Sequence, residues 1–130
     1  MSPKREVIAA PARLADAARR RHVSAAVRGG DFLFVSSLTA LDPQSGEPMR
    51  GTTASETARI LADLKLLLEA AGSSLAKVVK VNVLLHSMLE APNMNDVYAR
   101  VFPDPPPART VCGARLPDGV KVIIECTALA

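Results

Sequence analysis

The sequence has very few aromatic residues and no long apolar run. Only 3% of its 130 residues are aromatic, so the core must be aliphatic, and the stacking platforms used for single-stranded nucleic acids are missing. The longest apolar stretch, Val78 to Leu85, is interrupted by Lys80 and Asn82, and residues 1–21 lack the apolar segment of a secretory signal. We therefore expect a cytoplasmic protein with no membrane partner.

Cysteine and histidine are also scarce. Cys112 and Cys126 form no C-x-x-C pair, and no histidine lies near them at the spacing of zinc ligands, which excludes the common zinc and dithiol patterns. We predict that both are reduced thiols on strands. Without a nearby histidine to form its thiolate, Cys112 is more typical of a small buried hydrophobic residue than of a nucleophile.

The composition that remains is typical of one folded domain. The chain has the commonest domain length, is 48% hydrophobic and 22% charged, and lacks the low hydrophobicity of disordered chains. We predict a single domain over residues 1–130, with a loosely organised segment at 1–21. That segment carries much of the net charge of +3, through Arg13, Arg19, Arg20 and Arg21. A solvated or subunit-facing role is favoured for these arginines, and nucleic-acid binding is a minor hypothesis.

Glycine and proline divide the first part of the chain into two strands and a loop. Ser24–Val27 and Asp31–Leu38 predict strands joined at residues 28–30, where glycine permits the positive φ of a tight turn. Residues 42–48 are rich in turn formers and predict the loop that follows this hairpin.

The middle of the chain predicts a helix and then a strand. Thr53-x-x-Glu56 matches a capping box, and leucines at helical spacing extend the helix to Ala71. The β-branched segment Val78–Leu85 predicts a strand. Its core face would carry Val79, Val81, Val83 and Leu85.

A second helix and a second hairpin complete the predicted order ββαβαββ. The helix begins near Ser87 or Pro92 and ends before Pro103, where a stiff proline-rich connector follows. The hairpin would turn at residues 117–119. A three-residue turn there would put Arg109 on the same face as Glu125, whereas a two-residue turn would put them on opposite faces.

This order favours an α+β fold with a mixed sheet and two helices on one face. The other face of such a sheet would expose apolar positions from several strands. A patch of that size usually marks an interface, so we infer a homo-oligomer.

Several segments together resemble the reactive intermediate (imine) deaminase family, also called YjgF or RidA and described as endoribonuclease L-PSP-like. The segments that carry the resemblance are Gly30–Ser36, Asp42–Glu47, Leu68–Gly72, Asn95–Tyr98, Pro107–Thr110, Ala114–Pro117 and Val120–Glu125. They occur in the family's order and span most of the chain from His22 to Ala128.

The resemblance implies a chorismate-mutase-like fold assembled as a homotrimer, with clefts between subunits. It also implies hydrolysis of enamine or imine acids to 2-keto acids and ammonia, with no metal or organic cofactor. The family's carboxylate-binding arginine matches Arg109, and Asn95 and Tyr98 match positions near its cleft. An arginine suits this role because its rigid fork of N–H donors grips a carboxylate bidentately.

The sequence departs from the family pattern in four places. Ile123 stands where members often carry a glutamate that positions the attacking water, and an aromatic residue usual near the first strand is absent around His22. Ser37 replaces a usual glycine, and the segment from Arg109 to Leu116 is about one residue short. Isoleucine cannot act as a general base.

The candidate site residues keep alternative interpretations. Arg109 either binds a carboxylate or forms an interface salt bridge or structural hydrogen bond. Asn95 and Tyr98, about one helical turn apart, either line a cleft or seal the second helix against its neighbour.

Two further site residues also have two interpretations each. Glu125 is the candidate catalytic residue, as a base or water holder whose pKa burial would raise, or else it is a structural partner for an interface arginine or a backbone amide. Cys112 is a candidate substrate-binding residue because it closely follows Arg109. The competing function is a non-catalytic trimer that binds a 2-keto acid or similar metabolite, and Ile123 favours it.

Overall fold

The computed structural model describes residues 4–130, which form a six-stranded mixed sheet with three α-helices. Five of the strands, β2 to β6, follow the predicted order with helices α2 and α3 between them, after an additional strand and helix at the start. The elements are β1 (Arg5–Val7), α1 (Ala12–Arg20), β2 (Ala26–Gly29), β3 (Phe32–Leu38), α2 (Thr53–Ala70), β4 (Val78–Leu85), α3 (Ala91–Val101), β5 (Ala108–Gly113) and β6 (Val122–Leu129), with short 3₁₀ turns at Leu75–Lys77 and Met88–Glu90.

The first hairpin is present with slightly shifted ends. Strands β2 and β3 pair antiparallel, with Gly29 opposite Phe32. The turn between them depends on Gly30, whose φ of 59° lies in the left-handed region that glycine adopts at little cost.

The predicted loose start is wrong for residues 5–20. Strand β1 pairs with β2, and α1 buries Leu14 and Ala18 against the core. Helix α1 is also tied to α2, because Arg13 donates two hydrogen bonds to Asp63, at 3.0 and 2.7 Å. Residues 1–3 of the predicted segment lie outside the described residues.

Helix α2 begins one residue away from the predicted capping box. Thr52 is the N-cap, and its side chain and that of Ser55 each accept a hydrogen bond from the other residue's backbone N–H. Glu56 instead accepts from the backbone N–H groups of Gly51 and Lys121, both at 3.0 Å. The buried Glu56 carboxylate therefore joins the start of α2 to the segment that precedes β6.

The predicted C-terminal hairpin is wrong. In the part of the chain that the structure describes, strand β5 pairs only with β4, and the two run parallel. Strand β6 lies between β3 and β4 in the order β1-β2-β3-β6-β4-β5. The turn at residues 117–119 does form, with the Val120 N–H donating to the Pro117 carbonyl at 3.0 Å. That turn shapes the loop through which the chain passes to the far side of β4, so neither predicted hairpin register occurs.

The core lies between one face of the sheet and the helices. Alternate residues of β3, β4 and β6 are buried on this face, where they meet the leucine stripe of α2. A bulge between Val78 and Lys80 shifts the register at the start of β4. As a result Val78 is buried and Val79 is exposed, contrary to the predicted core face.

Within residues 4–130 no helix packs on the opposite face of the sheet, which exposes aromatic side chains. Phe32 and Phe34 are 42% and 50% exposed, and Leu129, the neighbour of Phe32 across the β3–β6 ladder, is 43% exposed. We call this surface the open face. None of the helices between residues 4 and 130 is both long enough and apolar enough to span a bilayer.

Candidate functional site

Arg109 is positioned by the parallel pairing of the edge strand β5. It lies opposite Val81 of β4, a residue fully buried beneath the helices. Because paired residues of neighbouring strands point to the same face, the Arg109 side chain leaves the sheet on the side of α3. Its guanidinium carbon lies 4.6 Å from the centroid of the Tyr98 ring, within the range of a cation–π contact.

Tyr98 in turn stacks on Phe102, where the last turn of α3 ends. The two ring centroids are 4.5 Å apart, and the rings are tilted by 35°. Burial raises the pKa of Tyr98 to about 12, although the positive charge of Arg109 acts in the opposite direction. The hydroxyl therefore stays protonated at neutral pH and can donate a hydrogen bond.

A cleft of about 510 Å³ opens beside this stack of Arg109, Tyr98 and Phe102. We call it the arginine cleft. Its walls come from α3, the proline-rich connector and the start of β5, and its lining residues are Asn95, Tyr98, Ala99, Phe102, Pro103, Asp104, Pro106, Pro107 and Arg109.

Two buried polar atoms at the arginine cleft lack partners. Among the residues that the structure describes, nothing hydrogen-bonds to Asn95 Oδ1 or to Tyr98 Oη. Asn95 and Tyr98 lie one helical turn apart on α3, so both side chains project from the same side of the helix. Buried polar groups are usually paired, so these atoms are suited to a ligand or a water molecule.

The geometry leaves the Arg109 guanidinium available to an anion. Its carbon lies over the Tyr98 ring, and the group carries five N–H donors in a planar fork that suits a carboxylate. Arg109 makes no side-chain hydrogen bond or salt bridge within residues 4–130. The arginine cleft therefore combines a carboxylate-sized cationic fork, apolar walls and two unused polar atoms.

Glu125 and Cys112 lie on the other side of the sheet. Glu125 pairs with Asn82, and Cys112 with Leu84, so both side chains belong to the open face. The Asn82 side-chain amide donates to Glu125 Oε1 at 3.0 Å. Both residues line a second cleft of about 210 Å³, together with Ser37, Asn82, Val83, Leu84, Thr110 and Ile123.

The structure thus divides the predicted site residues into two groups. Arg109, Asn95 and Tyr98 meet in the arginine cleft, while the sheet separates Glu125 and Cys112 from them. Within one chain, Glu125 cannot reach a substrate that Arg109 holds. Its observed partner is the side-chain amide of Asn82, and neither an arginine nor a backbone amide pairs with its side chain within residues 4–130.

Sequence reasoning missed Asp104 and Phe102 as residues of the arginine cleft. The proline-rich connector was predicted only as a spacer, yet it carries an acidic side chain to the cleft. A single charged residue within an apolar proline-rich segment was the available signal. Both cysteines are free thiols on strands, as predicted, but Cys112 is exposed, so the expectation of a small buried residue is wrong for it. Burial raises the pKa of Cys126 to about 12.

Comparison with known proteins places the chain among similar sequences and structures. The family model described as Endoribonuclease L-PSP matches residues 12–130. A RutC family protein of Pyrococcus horikoshii is 41% identical over 106 residues, covering 81% of this chain and 84% of the relative. The chloroplastic Reactive Intermediate Deaminase A of Arabidopsis thaliana is 32% identical, covering 98% of this chain and 67% of the relative.

A solved structure has the same fold. RidA from an Antarctic Psychrobacter species superposes with a TM-score of 0.77 at 31% identity. The match covers 82% of this chain and 87% of that protein.

Proposed function

The chain belongs to the Endoribonuclease L-PSP family, also called YjgF/RidA, and we propose that it hydrolyses small enamine or imine acids to 2-keto acids and ammonia. The observation that carries this proposal is the Arg109 guanidinium, stacked on Tyr98 at the arginine cleft with its N–H donors unused. A relative named Reactive Intermediate Deaminase A supports the reaction class.

In the proposed mechanism, Arg109 binds the substrate carboxylate, and the apolar walls hold the imine carbon beside the buried polar atoms of Asn95 and Tyr98. An enamine first takes a proton at carbon and becomes the protonated imine. Water then adds to the imine carbon, and one proton passes from the added oxygen to the nitrogen. The carbon–nitrogen bond breaks as the oxygen releases its second proton to water. The nitrogen leaves as ammonia, and the carbon skeleton leaves as a 2-keto acid.

This chemistry does not require a strong side-chain base. Imine hydrolysis is already fast in water, so orientation of the substrate and charge placement supply the modest acceleration needed. The proposed reaction is therefore compatible with Ile123 in place of the family's glutamate and with Glu125 on the opposite face of the sheet.

We further propose that three chains assemble with their open faces together, in a chorismate-mutase-like arrangement, so that clefts lie between subunits. The exposed aromatic side chains of Phe32 and Phe34 support this assembly, because a monomer would leave them in water. Each arginine cleft lies at the β5 edge of the sheet, where a neighbouring subunit can close it.

The test is release of 2-keto acid from freshly generated 2-aminoacrylate. We expect the protein to accelerate the reaction over a control without protein, and Arg109→Ala to lower kcat/KM by about 10- to 100-fold, the value of a lost charge-assisted hydrogen bond. Arg115→Ala is the matched control, because Arg115 is exposed and does not line the arginine cleft. Equal rates for the protein and the control without it would contradict the proposal.

A second candidate function is binding of a 2-keto acid without turnover. Ile123 favours it, because the residue that members often use to position water is missing. Under this alternative, Arg109 binds the ligand carboxylate in the same way. Binding of a 2-keto acid that requires Arg109, with no acceleration of imine hydrolysis, would select this function.

A further inference from the structure

We propose that Asp104 recognises the protonated nitrogen of the ligand, so that the arginine cleft binds carboxylate and cationic nitrogen at two separate points. This inference rests on the proposed function, since it assigns the nitrogen end of the same substrate. It gives a recognition role to a residue of the proline-rich connector, which follows α3.

The backbone of Asp104 is restricted by its neighbours in the chain, and the residue is exposed at the cleft. Pro103 and Pro105 flank it, and the proline ring fixes φ, which restricts the backbone on both sides. Phe102, just before this segment, is buried and stacks on Tyr98. Because Tyr98 also carries Arg109 on its ring, the acidic and basic residues belong to one connected arrangement.

The two opposite charges at the arginine cleft do not neutralise each other. Asp104 and Arg109 both line the cleft, yet no salt bridge joins them among the ion pairs formed within residues 4–130. Asp104 is also the only acidic side chain among the described lining residues. One carboxylate and one guanidinium that line the same cavity without forming an ion pair match a ligand that carries the opposite pair of charges.

An iminium nitrogen would supply a cationic partner for Asp104, which forms no ion pair within residues 4–130. A protonated imine carries two N–H donors and a positive charge, and a carboxylate is a strong acceptor for such donors. Glu125 cannot serve this end of the ligand within the same chain, because it lies on the open face and accepts from Asn82. Ile123 offers no acceptor.

The size of the arginine cleft and its lining indicate the kind of side chain that the ligand carries. Phe102, Pro106 and Pro107 form apolar walls, and a cavity of about 510 Å³ exceeds what a three-carbon acid would fill. The cleft therefore suits 2-imino acids with apolar side chains, and the corresponding 2-amino acids as stable analogues.

The experiment compares two probes that differ in the group on carbon 2. 2-Aminobutanoate carries an ammonium group and 2-oxobutanoate a keto oxygen on the same carbon skeleton, and both carry a carboxylate. Calorimetric or NMR titration would measure both affinities for the unmodified protein, Asp104→Asn, Arg109→Ala and Asp96→Asn. Asp96 is the matched control, because it is an exposed aspartate on α3 that does not line the cleft.

We expect Asp104→Asn to weaken 2-aminobutanoate binding by about 10-fold or more, the value of a hydrogen bond to a charged group. It should leave the affinity for 2-oxobutanoate within about twofold, because this probe has no cationic nitrogen for Asp104 to bind. Arg109→Ala should weaken the binding of both probes, and Asp96→Asn should leave the binding of both unchanged.

Two results would overturn the inference. Equal weakening of both probes by Asp104→Asn would mean that the residue acts on the cleft as a whole, and no weakening of either would mean that it does not contact the ligand. Failure of the proposed function would instead appear as an absence of turnover in the unmodified protein. In that case Asp104→Asn would still selectively lose 2-aminobutanoate binding. The thermal midpoint of Asp104→Asn checks that the variant is folded.

Discussion

Asp63 is the buried charge whose replacement should destabilise the fold most clearly. Its side chain is only 1% exposed, and it accepts hydrogen bonds from Arg13 on α1 and from Arg59 one turn earlier on α2. The hydrogen bond to Asp63 raises the pKa of Arg13 above its usual value. Asp63 therefore ties α1 to α2 and forms ion pairs with two arginines.

Asp63→Asn would leave the two arginines without their shared anion. Breaking a buried pair costs about 3 to 5 kcal/mol. The arginine side chains are 16% and 22% exposed, so water relieves part of the loss and the lower value applies. A loss of about 3 kcal/mol corresponds to a fall of about 10 °C in Tm for a domain of this size.

The assay is thermal unfolding at fixed protein concentration, with Asp16→Asn as the matched control. Asp16 also pairs with an arginine, but their side chains are 55% and 74% exposed, and such surface pairs contribute little. Hydrogen exchange should also quicken in α1, which loses its tie to α2. A Tm for Asp63→Asn within about 2 °C of that for Asp16→Asn would refute the reasoning.

Three further predictions follow from the sheet and its two faces. Glu125→Gln should leave kcat/KM within about threefold, since its partner is Asn82 and the glutamine can still accept that bond, whereas a 100-fold loss would give Glu125 a catalytic role. The unfolded chain releases the protons of Cys126 and Tyr98 above their ordinary pKa values of 9.0 and 10.0, while the folded chain keeps them to about 12. The free energy of unfolding should therefore fall between pH 9 and 12 in urea titrations, and a constant value would contradict this. Phe34→Glu should shift the protein to monomers in size-exclusion chromatography, and an unchanged elution volume would remove the open face from the interface.

Local patterns predicted most of the elements because their causes are local. The leucine repeat of α2 and the glycine turn before β3 depend on neighbouring residues only. Helix α1 was missed because it buries just two apolar side chains, Leu14 and Ala18, and no side chain caps its start. Its docking depends on Asp63, fifty residues away, and no local pattern indicates such a partner.

The C-terminal hairpin was mispredicted because strand pairing is not local. The turn at residues 117–119 has the residues of a hairpin turn, yet β6 pairs with β3 and β4 on its two sides. Its alternation of buried residues from Val122 to Ala128 fits a central strand as well as a hairpin arm. The face on which Arg109 lies follows from its parallel partner Val81, and no sequence spacing indicated that pairing.

The most direct test of the account is a crystal structure of the protein with 2-oxobutanoate bound. The ligand carboxylate should lie in the arginine cleft, where it accepts hydrogen bonds from the N–H donors of Arg109 beside the ring of Tyr98. A ligand bound instead in the cleft of Cys112 and Glu125 on the open face, with Arg109 uninvolved, would contradict it.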